Sequence, residues 1–438
     1  ESMKHLLFGG VHPADRKELT GRGIPAPAPI PAQVVIPLRQ HIGAPCTPLV
    51  KPGDTVGLGQ KLGDGEGLCV PVHASVSGLV TAVEPRPHPG GGQVLSVVIE
   101  NDYQDTPASA LEPHLDLSGL TKEEIVSIIG EAGIVGMGGA TFPTDVKTVA
   151  GMGRVDTLIA NACECEPYIT ADDALLCTYP EQVLRGMGVL MAVLEPKRAV
   201  LAVEDNKSEA VGILKKQMET FPGIELLILP TRYPQGAEKQ LIQAVTGRQV
   251  PPGALPKDVG CAVFNAATFA SIYKAVYEGE PVTRRIVTVT GEGVREPKNL
   301  IVRIGTPFSE VIAAAGGLTG DVWKVLSGGP MMGVAQADLA VPVVKGTNAV
   351  LCLSRAQDRE GAHPQCIRCA KCVTACPMSL QPLYLYRFEQ AGDLTALRRL
   401  NLIDCIECGC CAYVCPGRLP LVESFRAGKR AVKEENAS

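Results

Sequence analysis

Two stretches decide how this chain is read: Cys366-Ile367-Arg368-Cys369-Ala370-Lys371-Cys372-Val373-Thr374-Ala375-Cys376-Pro377, and Cys405-Ile406-Glu407-Cys408-Gly409-Cys410-Cys411-Ala412-Tyr413-Val414-Cys415-Pro416. Each is a complete C-x2-C-x2-C-x3-C run with a trailing proline. Two-residue gaps let a tight turn bring three thiolates to three corners of one cubane, and in two-cluster proteins the fourth cysteine of each run ligates the other cluster. The runs therefore predict two [4Fe–4S] clusters, one on Cys366, Cys369, Cys372 and Cys415, the other on Cys405, Cys408, Cys411 and Cys376. Structural zinc is the competing reading of paired cysteines; two complete runs with trailing prolines weigh against it. Cys410 lies outside both patterns and reads as a small buried apolar residue. Between the runs, Pro382–Leu400 reads as helix, with Leu385, Phe388, Leu394, Leu397 and Leu400 on one face. The region 353–438 thus reads as a helical two-cluster ferredoxin-type domain.

The remaining composition agrees with a reducing compartment. Nine of the 16 cysteines fall between Cys366 and Cys415, a distribution that suits metal ligands and not a secreted disulfide scaffold. Net charge is −5, so nothing points to nucleic acid. No apolar run is long enough to span a bilayer: the best, Val189 to Val203, is broken by Glu195, Pro196, Lys197 and Arg198. The expectation is a soluble or peripheral protein. Glu1 and Ser2, ahead of Met3, read as an expression scar.

Upstream, residues 1–115 form the first unit; residues 30–100 of it are rich in Val, Gly and Pro, with strand-like runs at Val34–Pro37, Leu79–Val83 and Val94–Ile99. Pro52-Gly53-Asp54-Thr55-Val56 and Ala74-Ser75-Val76-Ser77-Gly78-Leu79-Val80 resemble the halves of a biotinyl/lipoyl-type β-sandwich without its carrier lysine, so a structural module is expected. Residues 116–282 alternate short strands (Thr157–Ala160, Ala199–Val203, Leu226–Leu229) with helical stretches near 181–194 and 207–220. Thr121 and Glu124 form a capping box for a helix to about Ala132. That alternation predicts a Rossmann-like α/β unit with a parallel sheet. Residues 283–352 return to strands around a helix near 308–315, as in a small β-grasp domain. The fold class is multidomain α/β.

Two loops of the α/β unit carry chemistry. In Gly133-Ile134-Val135-Gly136-Met137-Gly138-Gly139-Ala140-Thr141-Phe142-Pro143 the glycines permit close backbone approach, and the amides before a helix start near Pro143 suit a phosphate. The loop follows a helix, so the usual dinucleotide fingerprint does not apply; a glycine turn packed on the sheet is the plain alternative. Asn161-Ala162-Cys163-Glu164-Cys165-Glu166-Pro167-Tyr168 follows a strand, where α/β sheets bind ligands. Its carboxylates suit ribose hydroxyls or a carboxamide, or else form a solvated acidic turn. Cys163 and Cys165 read as buried thiols.

GMGGATFPTDVK (136–147) with NACECEPYITADD (161–173) resembles the flavin- and NADH-binding subunit of respiratory complex I, and more closely the RnfC subunit of the Rnf complex, the membrane-bound ferredoxin–NAD oxidoreductase. VIPLRQHIGAP (35–45), VEDNKSEA (203–210), TRYPQGAEKQLIQAVTGRQVPPG (231–253), SGGPMMG (327–333) and DCIECGCCAYVCP (404–416) extend the resemblance over nearly the whole chain, in the family's order. It implies that Gly136, Gly138 and Gly139 line FMN and the dinucleotide, that Phe142 stacks in the nucleotide site and that Lys147 meets a phosphate. Asn161 and Glu164 would face FMN, Glu166 and Glu238 would serve NAD(H), and Asn265 and Thr268 would hold the flavin phosphate side. Residues 283–352 would be the SLBB-like β-grasp domain that follows the flavin fold. Two departures stand out: Cys163 occupies a position where Rnf relatives often carry alanine, and Met137 replaces an arginine of complex I.

The resemblance further implies a translocase-class ferredoxin:NAD+ oxidoreductase component, peripheral on the cytoplasmic face of the cell inner membrane. Electrons would pass between ferredoxin, indirectly through other Rnf subunits, and NAD(H), by way of the clusters and FMN. Nicotinamide exchanges electrons in pairs and clusters singly, so a flavin belongs between them. Two alternatives stay open: a soluble NADH-dependent reductase resembling cobalamin reductases, and a pure electron-relay subunit with a vestigial nucleotide site. Arg426–Lys433 is basic and reads as a solvated tail, with a contact to anionic lipid or a partner as the alternative.

Overall fold

The computed structural model describes residues 8–21, 23–358 and 364–437; Glu1, Ser2 and Met3 lie outside them. The N-terminal unit is two small antiparallel sheets face to face. One has the order Thr55–Val56, Gly78–Pro87, Gln93–Asn101, Gln33–Pro37, and the other Thr47–Pro48, Lys61–Asp64, Val72–His73. Alternating valines and isoleucines put Val34, Ile36, Val80, Val97 and Ile99 in the core between them. That core is continuous with Ile125 and Ile129 on the first helix of the next unit.

That helix, Lys122–Glu131, begins with the expected capping box: the Glu124 amide donates to Thr121 Oγ1 (3.2 Å) and the Thr121 amide to Glu124 Oε2 (2.7 Å). The α/β unit is a four-stranded parallel sheet in the order Ile224–Leu229, Arg198–Glu204, Thr157–Ala162, Cys261–Asn265. The strand order reverses between the last two, so the crevice at their carboxyl ends is the topological switch point, where such sheets bind ligands. Asn161 and Asn265 are in register there.

Next comes a six-stranded sheet, in which Arg284–Thr290 lies parallel to Ala349–Ser354 and antiparallel to Lys298–Arg303, with the helix Phe308–Ala314 packed over it. Central parallel pairing of the first and last strands is the β-grasp arrangement. Ala26–Pro27 adds an edge strand to this sheet. Residues 8–27 are therefore an arm outside the sandwich: the Gly10 amide donates to Ala375 O, and Val11 bridges Tyr233.

The cysteine domain is helical, and two expectations are corrected there. The stretch 382–400 is two helices, Pro382–Gln390 and Leu394–Arg399, because Gly392 adopts φ +68° and Asp393 Oδ1 accepts from the Ala396 amide to start the second. The basic stretch 426–433 is not a solvated tail. It belongs to the helix Leu421–Ala437, which buries Phe425 and Val432, and whose Arg426 and Lys429 both pair with Glu407 at 2.8 Å. Among the described residues no helix is long and apolar enough to cross a membrane.

Candidate functional site

The eight cysteine thiols sort into two small cavities. Cys376, Cys405, Cys408 and Cys411 line one; Cys366, Cys369, Cys372 and Cys415 line the other. This crossed grouping arises because each run's first two cysteines sit on its turn and the third in the short helix that follows (Lys371–Ala375 or Cys410–Tyr413), whereas the fourth, just past that helix, lines the other run's cavity. Four convergent sulfurs per cavity are the donor set of a [4Fe–4S] cluster. Cys410 is wholly buried, as expected, and borders the first cavity. The second cavity is the outer one: Cys366 and Cys369 are exposed, whereas Cys408 and Cys411 are buried.

At the switch point the glycine loop folds back on itself: the Gly136 amide donates to Phe142 O and the Thr141 amide to Gly136 O. Gly138, Gly139 and Ala140 form an exposed crest, and Phe142 is half-buried beside it. Gly139 holds φ +114°, and a Cβ on Gly138 would stand 3.4 Å from Asn265 Cβ, so the loop reaches the far strand. Lys147, on the following helix Thr144–Gly151, pairs with Glu238 at 2.5 Å and lies 5.3 Å from the centroid of the Phe264 ring. Both charges are partly exposed at the mouth of the loop.

Several other expected ligand residues shape the site's frame. Asn161 donates to Gly236 O and accepts from the Cys163 amide. Asn265 caps the helix Ala266–Tyr273 through the Ala267 amide and donates to Asp172 Oδ2 at 2.6 Å. Thr268, fully buried, accepts from the Met137 amide at 3.0 Å. Glu164 turns inward to accept from the Asp172 and Asp173 amides at the start of the helix Ala171–Thr178. Burial and the neighbouring Glu164 push the Asp172 carboxyl up.

Glu166 behaves differently. Its Oε2 accepts from the Met331 amide at 3.2 Å, while its Oε1 is buried without a hydrogen-bond partner among the described residues. Burial pushes its carboxyl up to about 7, against the opposing pull of the Met331 and Met332 amides and of Lys17. A buried carboxylate oxygen left in this way retains capacity for one more donor. Gly329 makes the contact possible, since a Cβ there would collide with Glu166 Oε2. Burial also raises the thiols of Cys163 and Cys165, the latter to about 12, so both stay protonated and inert.

Five residues of consequence were not singled out in the sequence. Lys17, on the N-terminal arm, donates to the carbonyls of Glu164 (2.8 Å), Glu166 (3.0 Å) and Ile169, pinning the acidic loop from about 150 residues away. The buried pair Glu204–Lys207 (3.1 Å) lies under the same loop, Lys207 Nζ reaching to 3.5 Å of Glu164 O. Met331, in the 327–333 turn, touches both Glu166 and Gly409, and Tyr233 donates to Cys408 O at 2.7 Å. The acidic loop of the crevice thus abuts the inner four-thiol cavity through Met331 and Tyr233.

A glycine-loop α/β domain wired in this way to a dicluster domain defines a class: electron-transfer subunits that couple a flavin-type nucleotide site to iron–sulfur clusters. Comparison with known proteins narrows it. Residues 129–274 match the Nuo51 FMN-binding domain, 6–104 the RnfC barrel sandwich hybrid domain, 286–335 the SLBB domain and 365–418 the 4Fe-4S dicluster domain. The chain is 45% identical to the RnfC component of the Na(+)-translocating ferredoxin:NAD(+) oxidoreductase complex of Acetobacterium woodii, over 98% of both chains. It is 43% identical to the counterpart in the proton-translocating complex of Clostridium ljungdahlii, over 92% of this chain and 88% of that one. In fold it is similar to a chain of an NAD+-reducing [NiFe]-hydrogenase, with TM-score 0.52 and 21% identity over 72% of this chain and 63% of that one. The chain belongs to the RnfC family of ion-translocating ferredoxin:NAD+ oxidoreductase complexes.

Proposed function

We propose that this chain is the NAD(H)-facing electron-transfer subunit of an Rnf-type complex, exchanging electrons between NAD(H) and two [4Fe–4S] clusters through FMN held at the switch point. Bound there, the flavin supplies a carrier that exchanges electrons in pairs with nicotinamide and singly with clusters. In this reading the backbone of Gly136, Gly138 and Gly139 approaches the phosphates and Phe142 stacks on the nucleotide. Lys147 turns from Glu238 toward a phosphate, and Glu166 accepts from a ribose or carboxamide donor. Asn161, Glu164, Asn265 and Thr268 hold the loops in shape around the flavin.

One observation carries the reading: the crevice and the inner cavity share Met331 and Tyr233 as neighbours. Electrons would enter at the outer cluster, on exposed Cys366 and Cys369, and cross to the inner one on Cys376, Cys405, Cys408 and Cys411. Ferredoxin would act through other subunits. Ion movement would reside in membrane-embedded partners, with this chain on the cytoplasmic face.

The test is anaerobic purification, FMN titration and addition of NADH. The expected result is one FMN per chain, bleached by NADH, followed by paramagnetic signals from reduced clusters. Clusters present without flavin binding would leave a pure relay. Efficient reduction of a soluble corrinoid by the isolated chain would favour a free-standing reductase.

A further inference from the structure

A second constellation of metal-binding side chains lies in the N-terminal sandwich, away from the cysteine domain. His41, Cys46 and Cys69 converge with their ligand atoms within 4.8 Å of one another. Cys46 Sγ and Cys69 Sγ are 3.5 Å apart, and His41 Nε2 lies 3.9 Å from the first and 3.6 Å from the second. His41 and Cys46 are buried, and Cys69 is partly exposed. A tetrahedral zinc with Zn–S of about 2.3 Å and Zn–N of about 2.0 Å sets its sulfurs about 3.8 Å apart, and each sulfur about 3.6 Å from the nitrogen. The observed triangle matches those edges. A disulfide needs sulfurs about 2.05 Å apart, and both cysteines are free.

The imidazole is set for the role. Its Nδ1 lies 3.3 Å from Ile42 O, so the tautomer that donates there leaves Nε2 unprotonated beside the two sulfurs. That is the arrangement which orients a metal-bound histidine. That nitrogen accepts from the Val70 amide at 3.3 Å, and the Cys46 thiol donates to Val70 O at 3.3 Å; zinc would replace both of these bonds. Soft thiolates with one imidazole select zinc among abundant divalent ions.

The location gives the ion a task. The segment carrying His41 reaches the end of the glycine loop, where the Ile42 amide donates to Thr141 O at 3.2 Å. The segment carrying Cys69 reaches its beginning through buried Lys345, whose Nζ donates to Pro71 O (2.7 Å) and Gly133 O (2.6 Å). Lys345 also ties back to the first segment, its amide donating to Gln40 Oε1 at 2.9 Å. A bond between the two segments would brace both ends of the loop from behind.

We propose that His41, Cys46 and Cys69 bind one zinc ion, with water in the fourth position, and that this ion is a structural brace for the glycine loop. The experiment uses the full chain, anaerobic and with both clusters assembled, and reads elemental content together with zinc-edge X-ray absorption. The expected result is about one zinc per chain beside about eight irons, in a shell of two sulfurs with nitrogen or oxygen donors. His41→Ala and Cys69→Ser should each lower zinc at least fivefold and leave iron unchanged. If His41→Ala does not fold, Cys69→Ser, at the partly exposed ligand, carries the test. Stripping zinc from the unmodified protein with a chelator should speed hydrogen exchange at residues 133–142, and zinc should restore it. A four-sulfur shell, zinc that survives both substitutions, absence of zinc with both thiols open to alkylation, or a Cys46–Cys69 disulfide in the peptide map would overturn the proposal.

Discussion

Tyr233 Oη donates a 2.7 Å hydrogen bond to the backbone carbonyl of Cys408, and so joins the α/β domain directly to the run that carries three thiols of the inner cavity. Tyr233 is almost fully buried, and burial raises its hydroxyl far above the ordinary range, so it stays a donor at every working pH. Tyr233→Phe keeps the ring and orphans the carbonyl, which costs about 1–3 kcal/mol. Anaerobic urea unfolding should show that loss with iron content unchanged. Unaltered stability would mean that the domains are held together elsewhere.

The crossed cavities make a reciprocal prediction. Cys415→Ser should impair the cluster of Cys366, Cys369 and Cys372, and Cys376→Ser the cluster of Cys405, Cys408 and Cys411. Paramagnetic resonance on each variant should lose a different signal, with iron falling from about eight toward about four. Damage to the mutated run's own cluster would contradict the crossed grouping.

Glu166 should give the crevice a pH dependence near neutrality, because burial lifts its carboxyl from the ordinary value of 4.5 to about 7. A raised carboxyl pKa means the fold favours the protonated form. Its stability contribution is then complete below pH 4.5 and is lost as pH rises through about 7. Nucleotide affinity should run the opposite way, since the ionised carboxylate accepts more strongly from a ribose or carboxamide donor. Glu166→Gln should flatten both profiles. Isothermal titration with NADH and thermal melts between about pH 5.5 and about pH 8.5, spanning the folded-state titration, would check the two slopes; profiles identical to those of the unmodified chain would remove Glu166 from the site.

Lys147→Ala removes a cation from the mouth of the glycine loop. A charge-assisted bond to phosphate contributes about 1.5–3 kcal/mol, so NADH affinity should fall roughly ten- to a hundredfold. Iron and bound FMN should be retained, because the cysteine domain is separate and the loop's frame rests on Asn161, Asn265 and Thr268. Stopped-flow flavin reduction across an NADH series is the measurement. If affinity does not change, Lys147 serves only its pair with Glu238.

Lys17→Met tests the arm. The substitution leaves the carbonyls of Glu164, Glu166 and Ile169 without their shared donor inside the protein. Flavin retention after gel filtration should drop severalfold, with about eight irons still bound. Full flavin occupancy would show that the acidic loop keeps its shape without the arm.

What the sequence determined by itself was whatever repeats or caps locally. The cysteine spacing named the two groups of four thiols that line the two cavities. The Thr121–Glu124 box started its helix where expected, and the period-two valines set the sandwich strands, because each of these rests on contacts within a few residues. The glycine loop and the acidic loop likewise marked the crevice locally, whereas Asn265 entered only through the family resemblance and meets Asn161 only in the sheet register. Only the tertiary structure decided which side chains face the crevice and which hold it. Glu164 and Glu166 are two residues apart, yet one caps a helix and the other keeps an unpartnered oxygen, because only Glu166 meets the turn at Gly329 and Met331 from another domain. Lys17, Tyr233 and the His41–Cys46–Cys69 triangle were illegible for the same reason: their partners come from distant segments, and burial, which turns such a contact into a constraint, exists only once those segments pack.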